Sequence, residues 1–229
     1  MPKLSHRLQT IISLVPSTTC VADIGSDHAF VPITLVQEHQ TQRAIASEIA
    51  PGPLAISQQN IADANLGKVI QTRQADGLQG LTEADQVEVV IIAGMGGQLI
   101  TRILTQGIAA LASISCLILE ANNDEPQVRL WLSQHHWQIT AECLVQEDGH
   151  IYEIIRAEKV EQAVFLTSQE LLFGPKLLAE RSSVFLNKWR DKLQRTKFMY
   201  QNLQHAQKQE PAKIAWAQQR IQEIEEVLK

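Results

Sequence analysis

The stretch VEVVIIAGMGGQLI, Val87 to Ile100, runs from a nearly unbroken β-branched segment into a glycine-rich turn and then an apolar-periodic stretch. Continuous Val and Ile marks a strand covered on both faces, as in a parallel sheet. Gly94-Met95-Gly96-Gly97 ends the strand, and the helical spacing that follows continues to about Gly107. A doubly covered strand that passes directly into a helix is the unit of an α/β fold.

The same alternation extends in both directions. Upstream, CVADI (20–24) is a short buried strand bounded by Gly25, and Pro32 suits the first turn of the next helix. RAIASEI (43–49) predicts a second strand, residues 51–66 a helix with proline near its start, and VIQTRQA (69–75) a third strand. Downstream, CLILE (116–120) is a fifth strand, followed by a helix over 125–136. Residues 137–159 then read as two strands joined around Asp148-Gly149, a strong hairpin signal. The expected architecture is α/β: an open, mostly parallel sheet closed by an antiparallel pair.

After residue 160 the strand patterns stop. Residues 174–206 read as helical, with Leu178, Phe185, Trp189 and Leu193 near one face, and Pro211 interrupts. Ile214, Ala217, Ile221, Ile224 and Leu228 then step by threes and fours, the seam of a coiled coil. This predicts a domain over 1–160, with an N-terminal helix at 4–15, and a helical coiled-coil extension over 161–229. The sequence leaves open whether that coiled coil closes within one chain or dimerises; a monomer or weak dimer is expected.

Composition narrows the class. With 45% hydrophobic and 20% charged residues, the chain reads as an ordinary soluble globular protein. No apolar run approaches the roughly 20 residues that cross a bilayer. Leu4, Leu8, Ile11, Ile12 and Val15 fit an amphipathic helix better than a signal peptide. Cys20, Cys116 and Cys143 stand singly in apolar surroundings, which favours a reducing, cytoplasmic setting over disulfides or a cysteine zinc site. His135 and His136 lack a partner at ligand spacing, so no metal is expected. Charge is unevenly divided. Residues 1–158 hold eight Lys and Arg against 17 Asp and Glu, net −9, whereas residues 159–229 hold 12 against eight, net +4.

In an open α/β sheet the ligand sits outside the carboxyl ends of the strands. Those ends carry Asp23-Ile24-Gly25-Ser26-Asp27-His28, Glu48, Asp76-Gly77, Gly94-Met95-Gly96-Gly97 and Glu120-Ala121-Asn122. Glu48 follows Asp23 by 25 residues, about where a carboxylate meets a ribose diol. A dinucleotide would need more glycine for its pyrophosphate, and Asp27 would repel it. A nucleoside cofactor with cationic groups and no phosphate suits the acids; S-adenosylmethionine is such a molecule. A strand-end Asp also commonly caps a helix, the plainer reading of any one of them.

The blocks LSHRLQTIISLVP, VADIGSDHAFVPI, AIASEIAPGPL, QADGL, VVIIAGMGGQLI, LILEANND, VRLWL and EDGHIYEII resemble, in order, the bacterial tRNA (adenine-22-N1)-methyltransferases. The resemblance spans about Leu4 to Ile155 and implies a class I methyltransferase domain using S-adenosylmethionine, with a coiled-coil extension. It implies cofactor contacts from Asp23, Gly25, Ser26, Glu48, Ile49, Asp76 and Gly77, and from Ala93, Gly94, Met95 and Gly96 in the loop between cofactor and base. The chain departs from the family's Gln-Pro-Asn after the fifth strand. Asn122 is kept, Glu120 adds a charge, and Ala121 is expected to loosen the turn.

N1 of adenine carries its own lone pair, so the reaction needs orientation more than a generated nucleophile. Methylation leaves the base cationic, and a carboxylate nearby would stabilise that charge or take a proton from the exocyclic amine. Asp27, just past the cofactor turn, is the first candidate, with His28 and Asn122 behind it. The plainer readings are a helix cap for Asp27 and a backbone hydrogen bond for His28. Lys176, Arg181, Lys188, Arg190, Lys192, Arg195 and Lys197 form a basic segment suited to RNA phosphates, although a charge run is more often a solvated face. The competing functions are a methyltransferase for another RNA adenine or a small molecule, a Rossmann oxidoreductase, and a non-catalytic RNA-binding coiled-coil protein.

Overall fold

A computed structural model describes residues 4–206 and 210–229; the parts of the expected domains at 1–3 and 207–209 lie outside the described residues. The chain divides into two compact units, Met1–Lys176 and Leu177–Lys229.

The first unit opens with α1 (His6–Leu14), capped by the Ser5 hydroxyl, which accepts from the Leu8 N–H at 3.3 Å. There follow β1 (Thr18–Ile24), α2 (Phe30–Gln37), β2 (Thr41–Glu48), α3 (Pro51–Asp63) and β3 (Ile70–Gln74). Two 3-10 turns, Gly77–Gly80 and Glu83–Asp85, lead to β4 (Val89–Met95) and α4 (Gly97–Gln106). A further 3-10 turn (Ala110–Ala112) precedes β5 (Cys116–Ala121), α5 (Glu125–Gln134), β6 (Trp137–Glu147), β7 (His150–Lys159) and α6 (Ser168–Phe173). At the hairpin between β6 and β7, Asp148 (φ 48°) and Gly149 (φ 76°) are both left-handed, as the tightest hairpin turn requires.

The seven strands form one sheet in the order β3-β2-β1-β4-β5-β7-β6. β1 to β5 pair in parallel, while β7 pairs antiparallel with both β5 and β6. The anticipated antiparallel closure is present, with β7 inserted so that it alone runs opposite to the other six strands. Ile92, Leu119, Ile100, Leu104 and Val128 belong to the core on the α4–α5 face. Ile11, Val21, Leu35, Ile91 and Ile118 belong to the core on the α1–α2 face. Each fully buried aliphatic side chain contributes on the order of 1.5–3 kcal/mol, so the strand ends stand on a rigid base. Residues 161–176, which the sequence pattern joins to the extension, group with the sheet unit. Within that unit the Leu171 carbonyl accepts from Arg129 Nη1 at 3.2 Å.

The second unit is helical. α7 (Pro175–Glu180) begins just ahead of it, and α8 (Ser183–His205) packs on α9 (Pro211–Val227). The helix expected across 174–206 is broken at Arg181, which is left-handed at φ 50°, and α8 restarts where the Ser182 hydroxyl accepts from the Phe185 N–H. Of the expected α9 seam, Ala217 and Ile224 are buried and Ile214, Ile221 and Leu228 half-buried. Val227, outside that spacing, is buried more deeply than Leu228. Among the described residues no helix is long and apolar enough to cross a membrane, and no cluster of three or more His, Cys, Asp or Glu is placed to hold a metal ion.

Candidate functional site

The strand order reverses between the parallel neighbours β1 and β4: the chain passes from β1 to β2 on one side and from β4 to β5 on the other. Outside their carboxyl ends lies a cleft of about 580 Å³. This is where an open α/β sheet takes its ligand.

β1 delivers the first wall. Asp23 is buried at the cleft, and burial pushes its carboxyl up to about 6; the Ser26 hydroxyl opposes the shift, and the Asp27 and Glu48 charges add to it. Gly25 follows at φ +81°, a conformation glycine adopts without strain. The N–H groups of Gly25 and Ser26 both donate to the Ser47 carbonyl, at 2.8 and 3.0 Å. The Ser57 hydroxyl on α3 donates to the Ser26 carbonyl at 2.6 Å. These bonds tie the turn to the end of β2, where Glu48 enters the cleft. One Glu48 oxygen accepts from the Ala50 N–H at 2.9 Å, which leaves the other for a ligand hydroxyl.

Asp27 and His28 stand at the rim, their side chains 68% and 45% exposed, with Asp27 Oδ2 and His28 Nε2 3.9 Å apart. The His28 ring stacks on Phe30 with centroids 5.1 Å apart and planes 9° from parallel. Ala29, left-handed at φ 55°, occupies the N-cap of α2, and no side chain caps that helix. Asp27 is therefore not a helix cap.

β4 closes the other side. It extends through Gly94 to Met95, with an irregularity between Ala93 and Met95 opposite β5, so the expected loop is partly strand. Gly94 is left-handed at φ +76°, and its N–H donates to Glu120 Oε2 at 2.8 Å. Ala121 does not loosen a turn. It is buried and pairs with Met95 and Glu153, so β5 runs one residue further than expected before the Asn122 N–H donates to the Met95 carbonyl at 2.8 Å.

The cleft thus gathers Asp23, Gly25, Ser26, Asp27, His28, Glu48, Ala93, Gly94 and Met95. Five other candidates fall outside its lining. Ile49 is 59% exposed. Asp76 is exposed at the end of β3, and Gly77 is set against α4, where an added Cβ would meet Ile103 at 2.9 Å. Gly96 caps α4 beside Asn123, and Asn122 is exposed. Of the basic candidates, Lys176 lies on α7, Arg181 just after it, and the rest on α8. Lys188 is half-buried with its ammonium 5.8 Å from the Trp189 ring centre, and Lys197 pairs with Glu225 at 2.6 Å. Arg181, Arg190, Lys192 and Arg195 are exposed.

One cationic residue at the cleft went unread in the sequence. Arg7, from α1, lines it and donates from Nη1 to Glu120 Oε2 at 2.6 Å. A single Arg on an amphipathic helix carries no signal, but an acid inside CLILEA does: a buried carboxylate needs a partner.

The donor set fits a nucleoside cofactor bearing cationic groups. Three carboxylates, from Asp23, Asp27 and Glu48, share the cleft with one guanidinium, that of Arg7. A pyrophosphate would find no basic cradle there.

Comparison with known proteins agrees. A family model described as TrmK, tRNA (adenine(22)-N(1))-methyltransferase, matches residues 21–226. The tRNA (adenine(22)-N(1))-methyltransferase of Bacillus subtilis (strain 168) is 35% identical over 99% of this chain and 97% of its own length. A Streptococcus pneumoniae crystal structure, described as a putative tRNA (m1A22) methyltransferase in complex with S-adenosyl-L-methionine, is 38% identical with a TM-score of 0.90, covering 99% of this chain and 100% of that one. M. capricolum TrmK in complex with S-adenosyl-homocysteine is 30% identical with a TM-score of 0.88, covering 99% of both chains. On the family model and the full-length relative alike, the chain belongs to the TrmK family of tRNA (adenine(22)-N(1))-methyltransferases.

Proposed function

We propose that the chain transfers the methyl group of S-adenosylmethionine to N1 of an adenine in cytoplasmic tRNA, at position 22, through the cleft between β1 and β4. One arrangement carries this reading: an acid-lined pocket suited to a nucleoside opens onto a rim bearing Asp27, His28 and Phe30.

When bound, the cofactor supplies an electrophilic methyl on a sulfonium. The chain's residues do the remainder. Glu48 would accept from the ribose hydroxyls with the oxygen that Ala50 does not engage, and Asp23 in its ionised form would face the cationic end. Gly25 and Gly94 let backbone approach where a side chain would stand in the way. At the rim, the parallel His28–Phe30 pair offers a flat surface for an unstacked base, whose Watson–Crick edge must be exposed for reaction at N1. Asp27 stabilises the charge that develops on the adenine and accepts the proton its exocyclic amine releases. Asn122 lies beyond the lining and is assigned the base edge rather than the cofactor. The exposed Arg190, Lys192 and Arg195 suit RNA phosphates, with Lys176, Arg181, Lys188 and Lys197 extending the basic segment.

The test uses the full chain, labelled S-adenosylmethionine and unmodified tRNA, with the methylated nucleoside identified and mapped. Label at N1 of adenine 22 is expected; label elsewhere overturns the target. Asp27→Ala should lower turnover at least ~100-fold with the fold intact. Turnover near that of the wild type would remove Asp27 from the mechanism.

A further inference from the structure

We infer that Ser57 and Asn60 of α3 are positioning residues for the transfer: they clamp the main chain on either side of Asp27 and so fix where its carboxylate stands at the rim. The inference rests on the functional reading above and deepens it. That reading places Asp27 in the mechanism; the clamp is what holds an exposed acid in one place.

The geometry begins on α3. Its buried residues are Leu54, Ser57 and Ile61, so a hydroxyl stands between two aliphatic side chains on the covered face. A serine inside a helix can turn its hydroxyl back onto the carbonyl four residues earlier. Ser57, 0% exposed, instead donates to the Ser26 carbonyl at 2.6 Å, 31 residues away. Asn60 lies three residues on, along the same face of the helix. Its Nδ2 donates to the His28 carbonyl at 2.9 Å, 32 residues away. The two acceptors belong to the residues that flank Asp27. Neither bond completes the hydrogen bonding of α3 itself; both reach out of the helix to the same loop.

The loop needs such a clamp. The side chains of Asp27 and His28 are too exposed for packing to place them. Ala29 is left-handed at φ 55°, a conformation that a residue with a Cβ keeps only where its surroundings impose it, and no side chain caps α2. Before Asp27, the Ser26 N–H donates to the Ser47 carbonyl at 3.0 Å, so Ser26 is held by β2 through its N–H and by α3 through its carbonyl. After Asp27, Asn60 supplies the hold. α3 starts three residues past Glu48, so the ribose carboxylate and the rim acid are both referred to one helix. Orientation is most of what this reaction asks of the chain, and a misplacement of about 1 Å can cost ~100-fold in rate.

Single-turnover methyl transfer at saturating S-adenosylmethionine and tRNA, measured as a double-mutant cycle with Asp27, decides the matter. Asn60→Ala should slow transfer about threefold to tenfold and leave S-adenosylhomocysteine affinity within about twofold. Asn60→Asp keeps the shape but not the donor, and should slow transfer at least as much. In the Asp27→Ala background, Asn60→Ala should change the rate by less than about twofold, because the group it positions is gone. Ser57→Ala should behave alike. If it fails to fold because Ser26 loses a buried partner, the half-buried Asn60 decides alone. An unchanged rate in Asn60→Ala overturns the inference, as does Asn60→Asp at the wild-type rate, which would assign the role to shape. So does the full loss repeated in the Asp27→Ala background, which would mark α3 as general support. Asp27→Ala at the wild-type rate would instead overturn the reading of Asp27 on which the clamp depends.

Discussion

Gly25 and Met95 meet across the crevice so closely that a Cβ on Gly25 would stand 2.2 Å from Met95 Cε. The end of a methionine can move; the backbone of Gly25, at φ +81°, cannot relax as easily. Gly25→Ala should therefore have two separable effects. Stability falls by about 1–2 kcal/mol from the left-handed backbone, measured by urea unfolding. Affinity for S-adenosylhomocysteine falls at least ~10-fold as Met95 is pushed into the cleft. Adding Met95→Ala to Gly25→Ala should restore most of the affinity and none of the stability. If the second change rescues both, backbone strain is not the cause.

Asp23 sets a pH dependence. Its folded-state carboxyl titrates near 6, raised chiefly by burial from an ordinary value of 3.8. The sign follows from proton binding. Below about pH 4 the group is protonated whether the chain is folded or not, and no cost arises. Between about pH 4 and 6 the unfolded chain releases the proton first, so stability is lost as pH rises through that window, on the order of 2–3 kcal/mol. Asp23→Asn should accordingly raise the melting temperature of the cofactor-free protein at pH 8 and leave it unchanged near pH 4. Cofactor binding runs the other way. S-adenosylmethionine should bind tighter as pH rises to about 6 and level off above, and Asp23→Asn should flatten that profile. A profile that keeps its step in the variant would assign the titration to another group.

The parallel sheet and its hairpin were readable because their signals are local. Val89 to Ile92 can only be a strand covered on both sides, and Asp148-Gly149 can only turn tightly. The strand-end acids were readable because topology places every such end at one edge. Long-range facts were not. Nothing in the sequence says that Gly77 turns toward Ile103 rather than the cleft, or that a carboxylate in β5 reaches a guanidinium 113 residues earlier. The break at Arg181 was hidden for a related reason: a left-handed arginine leaves no compositional mark, whereas glycine would have.

Arg129 ties α5 to the antiparallel end of the sheet. Its side chain is fully buried, and it donates from Nε to Glu142 at 2.7 Å and from Nη2 to Glu153. Glu142 Oε2 also accepts from the Lys176 N–H at 2.8 Å, so the cluster joins α5, β6, β7 and the start of α7. Arg129→Met would strand two buried acids and should cost about 3–5 kcal/mol. Combining it with Glu142→Gln and Glu153→Gln should recover part of that loss, because the unpaired charges are gone. Chemical unfolding checks both; a triple variant no more stable than Arg129→Met would place the cost in packing instead of charge.

The basic residues of the extension are not equivalent. Lys197 is already paired with Glu225, and Lys188 lies half-buried against Trp189, so neither is the best probe of RNA binding. Arg190, Lys192 and Arg195 are exposed on α8. Replacing these three with Gln should lower tRNA affinity and reduce the steepness of its salt dependence by up to about 0.9 for each phosphate no longer neutralised. Binding of S-adenosylhomocysteine, which depends on the sheet unit, should be unaffected. The salt slope separates this role from general charge attraction. If affinity falls equally on exchanging an exposed basic residue of the sheet unit such as Lys68, the effect is the overall field of the protein. If only the α8 triple changes the slope, the extension holds the RNA while the cleft performs the transfer.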